Sequence, residues 1–268
     1  MNGSIHLGTL TVRPFISGSN PLCGFSHKSP KTDREMADYF TFERSVQYLH
    51  DCEQAGIDAI VTRIDRLTLQ LFKEYWKGGG RIKWIGQTAS EYVSLIRNIS
   101  EALDGGVSAV FIHGGMIDRL IQEGDYRTIQ DTLLYVKDNS DIPVGVAAHN
   151  PNSLLQLQEL NYDYDFNLLS LYNISGYHGK THNRTEIFDD GDREKALAIV
   201  PELSKPCLLY KILGAGRKTL NQGLSDLAGS FRQTDGIVVG MYTKEYPSLI
   251  RNNVEEFYQW RSKLYDGR

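Results

Sequence analysis

Three groups of residues in this sequence have the types and spacing to do chemistry. His113 and His149 each close a short apolar run, Val110-Phe111-Ile112-His113 and Val146-Ala147-Ala148-His149; Gly114-Gly115 after the first lets a ligand or backbone come close, and Asn150-Pro151 follows the second. A histidine so placed serves as a general acid or base near neutral pH. Lys211 stands within Leu208-Leu209-Tyr210-Lys211-Ile212-Leu213. A lysine facing a protein interior has its pKa lowered by burial and becomes a base or a Schiff-base nucleophile. Strand alternation could equally turn Lys211 outward with Leu209 and Leu213. The third group, Gly214-Ala215-Gly216-Arg217, could cradle a phosphate or other anion through backbone N–H groups. Glycine turns of this kind also follow strands that bind nothing.

These groups need elements to position them, and the sequence supplies a repeating rhythm. Apolar, β-branched runs fall at 12–18, 59–63, 82–88, 109–113, 144–149, 166–172, 207–213 and 236–242. Their near-continuous hydrophobicity marks strands covered on both faces, as in a parallel sheet. Helical periodicity fills 42–55, 67–77, 91–104, 125–137, 153–160, 193–203, 219–231 and 248–264, with Thr41 as an N-cap and Gly56 as a C-terminal stop. Eight βα repeats over 268 residues predict an α/β fold, a (β/α)8 TIM barrel spanning 1–268 as one domain. An open doubly wound sheet has the same alternation, but its glycine-rich first turn is missing here. Two connections, 20–40 and 173–192, are too long for turns and are expected to be lid-like loops at the active-site face.

In such a barrel the C-terminal ends of all strands meet at one mouth. Reading those ends in order gives Asn20 with His27 beyond it, Arg63 and Asp65, and Gln87. Then come His113, His149 and Asn150, Tyr172 and Asn173, Lys211 with Arg217, and Tyr242 with Lys244. The expected catalytic set is His113, Lys211 and Tyr172, with Tyr242 as another proton donor. The expected substrate-binding set is Asn20, His27, Arg63, Asp65, Gln87, His149, Asn150, Asn173, Arg217, Tyr242 and Lys244. Gly214, Gly216 and Arg217 form the expected anion-binding turn. Cations outnumber carboxylates in this mouth, which predicts a small, polar or anionic substrate. No metal is favoured; the alternative site would pair His113 with His149, joined by Asp65 or His27, and His178 and His182 lie in the sixth loop.

Composition excludes other classes. With 29 basic and 33 acidic residues the net charge is -4, which gives no basic stripe for a nucleic acid. No apolar run reaches membrane-spanning length. Cys23, Cys52 and Cys207 fit neither a disulfide framework nor a zinc knuckle. The first ten residues do not read as a secretory signal, so a cytoplasmic location is expected and the sequons at Asn98, Asn173 and Asn183 are expected to be idle. The expected partner is a small molecule, with homo-oligomerisation open.

The pattern resembles the aldo/keto reductase superfamily. Gln54-Ala55-Gly56-Ile57-Asp58-Ala59-Ile60 is similar to that family's entry to its second strand, and Val110-Phe111-Ile112-His113 to its fourth strand with a substrate-orienting histidine. Residues 166–173, ending in Tyr172-Asn173, resemble its sixth strand, and 236–241 with Asn253-Val254-Glu255-Glu256-Phe257 its last strand and helix. The resemblance implies a barrel and NADPH-dependent carbonyl reduction by an Asp, Tyr, Lys and His tetrad. Only His113 carries over. Val61 falls where the Asp is expected and Gln87-Thr88 where the Lys is expected, with no equivalent of the Tyr. Thr243-Lys244 partly matches the NADPH 2′-phosphate segment, but Leu249 replaces its Arg. The expected function is therefore acid/base or Schiff-base chemistry on a carbonyl or sugar-derived compound, as in an isomerase, epimerase or aldol-type lyase. The alternatives are an NADPH-dependent reductase with a rearranged tetrad, and a ligand-binding barrel without catalysis.

Overall fold

A computed structural model describes residues 3–89, 94–173 and 188–265. An antiparallel hairpin, β1 (Ile5–Leu7) and β2 (Leu10–Val12), precedes the barrel and turns at Gly8 with φ +59°. The barrel strands are β3 (Phe15–Gly18), β4 (Ala59–Arg63), β5 (Lys83–Gln87), β6 (Ala109–Ile112), β7 (Val144–Ala148), β8 (Phe166–Ser170), β9 (Cys207–Tyr210) and β10 (Gly236–Gly240). They close in the order β10-β3-β4-β5-β6-β7-β8-β9, every pair parallel. This is the expected (β/α)8 barrel. Its first strand is shorter than the apolar run at 12–18, because Pro14 cannot donate to a ladder and breaks the run. Val12 is thereby released to the hairpin.

Two apolar layers result. Inside, alternate strand residues (Ile16, Ala59, Ile85, Phe111, Ala147, Leu168, Leu208, Val238) pack together, and Ile5, Leu7 and Val12 of the hairpin join them. Gly236 sits so close to Ile5 and Leu208 that a β-carbon there would approach both at 2.9 Å. The hairpin thus stoppers the N-terminal end and leaves the other end for chemistry. Outside, Ile60, Trp84, Ile112, Val146, Leu209 and Val239 meet the helices.

The helices are α1 (Pro30–Tyr39), α2 (Phe42–Gln54), α3 (Arg66–Lys77), α4 (Leu95–Asp104), α5 (Gly114–Glu123), α6 (Tyr126–Asn139), α7 (Pro151–Glu159), α8 (Asp190–Ile199), α9 (Leu220–Leu227) and α10 (Leu249–Tyr265). Side chains of Thr41, Asp65, Asp125, Asn150 and Thr219 cap α2, α3, α6, α7 and α9 by accepting from first-turn N–H groups. Two helices depart from the sequence reading. The 20–40 connection is not an open loop: after a short 3-10 turn at Pro21–Cys23 it forms α1, capped by Ser29 with Pro30 in its first turn. The second is α5, which opens on Gly114-Gly115 directly after His113. Residues 174–187, with most of the other expected lid and both His178 and His182, lie outside the described residues. Asn98 is fully buried, accepting from Ala89 N at 2.8 Å and donating to Ile64 O at 3.1 Å, which makes its sequon unusable in the folded chain. Among the described residues no helix is long and apolar enough to cross a membrane.

Candidate active site

The pleat decides which side chains reach the mouth. Counting up the inward face from Val61, Ile85, Phe111, Ala147, Leu168 and Leu208 gives Arg63, Gln87, His113, His149, Ser170 and Tyr210 at the C-terminal rim. The same count would send Lys211 outward. However, β9 ends at Tyr210, and Lys211 adopts a left-handed φ of +60°. That turn brings its Nζ to 3.2 Å from His27 Nε2. His27 is itself left-handed, at φ +55°, and its Nε2 also lies 2.9 Å from Asn20 Nδ2. A lysine ammonium only donates, so Nε2 of His27 is the acceptor and its ring proton sits on Nδ1. Left-handed backbone costs on the order of 1 kcal/mol at a non-glycine residue and tends to be retained at functional sites. Among the described residues four non-glycines adopt it, and His27, Lys211 and Ala215 belong to this one end of the barrel.

Beside this pair, His149 is buried at 3% exposure. Its Nδ1 lies 3.4 Å from Asp118 Oδ2, a carboxylate on α5 that is itself 8% exposed. The same carboxylate accepts from His149 N at 2.9 Å and from Ser153 Oγ at 2.8 Å. Burial pulls the His149 pKa below the ordinary 6.5, the neighbouring Asp118 carboxylate partly offsets this, and the charges of Lys211 and His27 push it further down. His149 is therefore neutral at pH 7. The unfolded chain takes up this proton near pH 6.5 while the folded chain resists it, so stability falls as pH drops below that value. Urea midpoints are expected to be lower at about pH 5.5 than at pH 7.5, with a smaller difference in His149→Asn.

Tyr210 completes the ring. Its hydroxyl reaches Ala148 O at 3.4 Å, and burial, reinforced by the Asp118 charge, drives its pKa far above the usual phenol range, so it stays protonated. The His149 ring stands 5.8 Å from that of His113 and 6.1 Å from that of Tyr210, centroid to centroid. Gly114 is the floor between them: a β-carbon there would stand 3.2 Å from both His149 Cε1 and the Tyr210 hydroxyl. Gly114→Ala is expected to displace the His149 ring and to lower kcat more than it lowers thermal stability, checked by steady-state kinetics beside a melting curve.

The remaining expected residues are distributed around this centre. Arg63 pairs with Asp65 at 2.8 Å, and Asp65 also caps α3 by accepting from Thr68 N at 2.9 Å. Gln87 ends β5, half-buried. Asn150 spends its side chain capping α7. Asn173 is held through its N–H by Asp192 at 3.2 Å. Tyr172 is buried against Phe188, with its hydroxyl accepting from Arg193 and lying beside Gly214. It stands outside the ring of His113, His149 and Tyr210. Tyr242 likewise faces α1, donating to Glu35 O at 3.0 Å and packing on Tyr39. Lys244 is exposed. In the glycine turn, Gly214 N donates to Lys211 O at 2.8 Å, Arg217 reaches Gly214 O at 2.9 Å, and Lys28 approaches Gly216 O at 3.5 Å. The turn is thus rimmed by two cations, and the amide of Gly214 is committed to the turn itself. Among the described residues no three His, Cys, Asp or Glu side chains gather as a metal site, so His113 and His149 have no third ligand there. A surface trough of about 550 Å3 on α10, lined by Tyr258, Gln259 and Lys263 among others, is separate from this chemistry.

Asp118 and Tyr210 are the members of this centre that the sequence reading missed. For Tyr210 the signal existed, since alternation from Leu208 points it inward. Asp118 is on a helix that the sequence reading did not find.

No protein-family model matches the chain, and no curated protein matches it. Solved structures do. A putative aldo-keto reductase from Pseudomonas aeruginosa superimposes with a TM-score of 0.63 at 15% identity, covering 96% of this chain and 95% of the other. An aldo-keto reductase from Bacillus halodurans, in its holo form, gives 0.61 at 13% identity, over 98% and 96%. The chain has an aldo-keto-reductase-like barrel fold. A truncated 3-deoxy-D-arabino-heptulosonate 7-phosphate synthase from Thermotoga maritima gives 0.58 at 13% identity over 98% and 93%, so the architecture is shared with barrels of other chemistry.

The reductase-like barrel raises the question of NADPH, and the residues at the mouth do not fit the tetrad that cofactor works with. Val61 is an inward residue within the barrel, packed against its apolar interior, and the rim position above it is Arg63, already engaged by Asp65. Gln87 stands at the end of β5 in place of the lysine. At the end of β10, α1 leans on Tyr242 and Thr243 through Tyr39.

Proposed function

We propose that this chain is an enzyme acting on a small polar or anionic carbonyl or sugar-derived compound by acid/base chemistry with a Schiff base at Lys211, in the class of isomerases, epimerases and aldol-type lyases. The observation that carries this reading is the Lys211–His27 contact, an amine turned into the barrel mouth by a left-handed residue and set against an imidazole acceptor. His27 can take the ammonium proton, which frees the nitrogen lone pair. That lone pair attacks the carbonyl carbon. The carbonyl oxygen leaves as water, taking one proton from the amine and one from an acid group such as His113, and a protonated imine remains. The imine draws the electron pair of an adjacent C–H or C–C bond toward nitrogen, giving an enamine, while a neighbouring base accepts the proton. The cations Lys28 and Arg217 at the glycine turn support a substrate that carries negative charge at its far end.

Borohydride trapping tests the reading. The protein is incubated with pyruvate, dihydroxyacetone phosphate or glyceraldehyde 3-phosphate, reduced, digested and mapped by mass spectrometry. A secondary amine on Lys211 is expected with at least one of these. Absence of any lysine adduct across the set, or labelling spread over surface lysines with Lys211 spared, would sink the Schiff-base assignment.

A further inference from the structure

The geometry points to Asp118 as a positioning residue that fixes His149 as the neutral Nδ1–H tautomer and so makes His149 a proton-accepting base at the mouth, rather than a substrate-binding side chain. Where this concerns catalysis it rests on the Schiff-base reading above; the tautomer itself does not. The first support is the donor count. An ionised carboxylate only accepts. Asp118 receives His149 N and Ser153 Oγ, and Asn150 N approaches it at 3.3 Å. His149 Nδ1, at 3.4 Å, faces the same acceptor, and only a protonated Nδ1 is favourable there. The lone pair is then left on Nε2, the nitrogen a base needs.

The second support is rigidity. One carboxylate holds the backbone N–H of His149 to α5 and, through Ser153, to α7, and its oxygen stands 3.4 Å from Nδ1 of the buried ring, so carboxylate and ring keep a fixed mutual position. The third is the surroundings. The groups facing His149 are Asp118 on α5, His113 at the end of β6, Tyr210 on β9, Lys211 after it, and His27 beyond β3. The two cationic or potentially cationic neighbours disfavour a second proton, while Asp118 keeps the ring from losing all basicity. A proton lifted from the carbon next to the Lys211 imine would pass to Nε2, its electron pair moving to the imine nitrogen, and the resulting imidazolium would be stabilised by Asp118.

The test is long-range proton–nitrogen NMR of the His149 imidazole, recorded without substrate on the full chain at about pH 6 to 8. The wild type is expected to show an Nδ1–H, Nε2-lone-pair ring throughout. An Nε2–H tautomer in the wild type overturns the proposal by itself, whether or not any variant folds. In Asp118→Asn the ring is expected to lose that single tautomer, with kcat down at least about tenfold and KM little changed. An unchanged His149 spectrum in a folded Asp118→Asn protein also overturns it. Ser153→Ala, which removes one bond to Asp118 without touching the imidazole, is expected to keep the tautomer. Failure of borohydride trapping with the tautomer intact would overturn the proposed reaction and leave the histidine–carboxylate pair standing.

Discussion

Lys211→Met is expected to abolish borohydride labelling and to lower kcat/KM by about 10^3-fold or more on the substrate that gives the adduct. Methionine keeps the length and flexibility of the side chain but removes the nucleophile and the donor that His27 Nε2 receives at 3.2 Å. The fold should survive the change. Lys211 is half-exposed, follows the last residue of β9 and takes part in no barrel ladder, while the apolar anchor next to it is Ile212 at 1% exposure. Lys211→Arg separates charge from chemistry. It keeps a cation in the mouth but supplies no amine that forms an imine, so substrate binding should persist while turnover is lost. Steady-state kinetics on the three proteins, with circular dichroism to confirm folding, reads both effects. Wild-type turnover by Lys211→Arg would remove the amine from the chemistry and leave Lys211 as a binding charge.

The largest expected stability effect lies at the opposite end of the barrel. Asp235 is fully buried just before β10. Its Oδ1 accepts from Cys207 N at 2.9 Å and from Arg232 Nη2 at 2.7 Å, and its Oδ2 accepts from Arg232 N at 3.0 Å and Nε at 2.9 Å. Arg232 in turn donates to the carbonyls of Leu203 and Lys205. One carboxylate therefore ties the starts of β9 and β10 to the chain that leads into them. Removing it strands a partly buried guanidinium and a buried backbone N–H. Asp235→Ala is expected to cost about 3–5 kcal/mol, the usual penalty for breaking such a buried pair. At this chain length that corresponds to a melting temperature lower by roughly 10 °C. Asp235→Asn retains one acceptor oxygen and should fall between the two. Differential scanning calorimetry measures all three, and an unchanged melting temperature in Asp235→Ala would mean that the two carbonyls suffice to hold Arg232.

The barrel was legible in the sequence because its period is physical. A strand covered on both faces reads as an unbroken apolar run, and helices such as α2 and α3 start on side-chain caps, Thr41 and Asp65, with Gly56 just beyond the end of α2. What escaped was local. Pro14 divides an apolar run that composition alone reads as continuous. Gly114-Gly115 looks like a flexible turn but opens α5, since a glycine is the residue that can sit within reach of both His149 and Tyr210. The 20–40 connection hid α1 behind a Ser29-Pro30 start that is visible once the helix is known.

For the site, the sequence by itself determined which residue types stand at the strand ends. Asn20, His113, His149 and Lys211 follow strand ends and His27 lies in the loop beyond the first, because in a parallel barrel chain direction alone assigns every strand end to one mouth. Only the tertiary structure decided where those side chains point. Alternation predicts direction within a strand and fails at the first residue past it. Lys211 turns inward on a left-handed φ, and Ser170 Oγ bonds to the backbone of Tyr172 and bends the chain so that this tyrosine packs against Phe188. Asp118 had no sequence signal at all: it is a carboxylate on a helix, one of 33 acidic residues, and its proximity to His149 is created by the packing of α5 against β7. Sequence fixes which chemical groups are available at short range along the chain, whereas the partner that orients each of them comes from contacts between distant segments, which exist only after the barrel has closed.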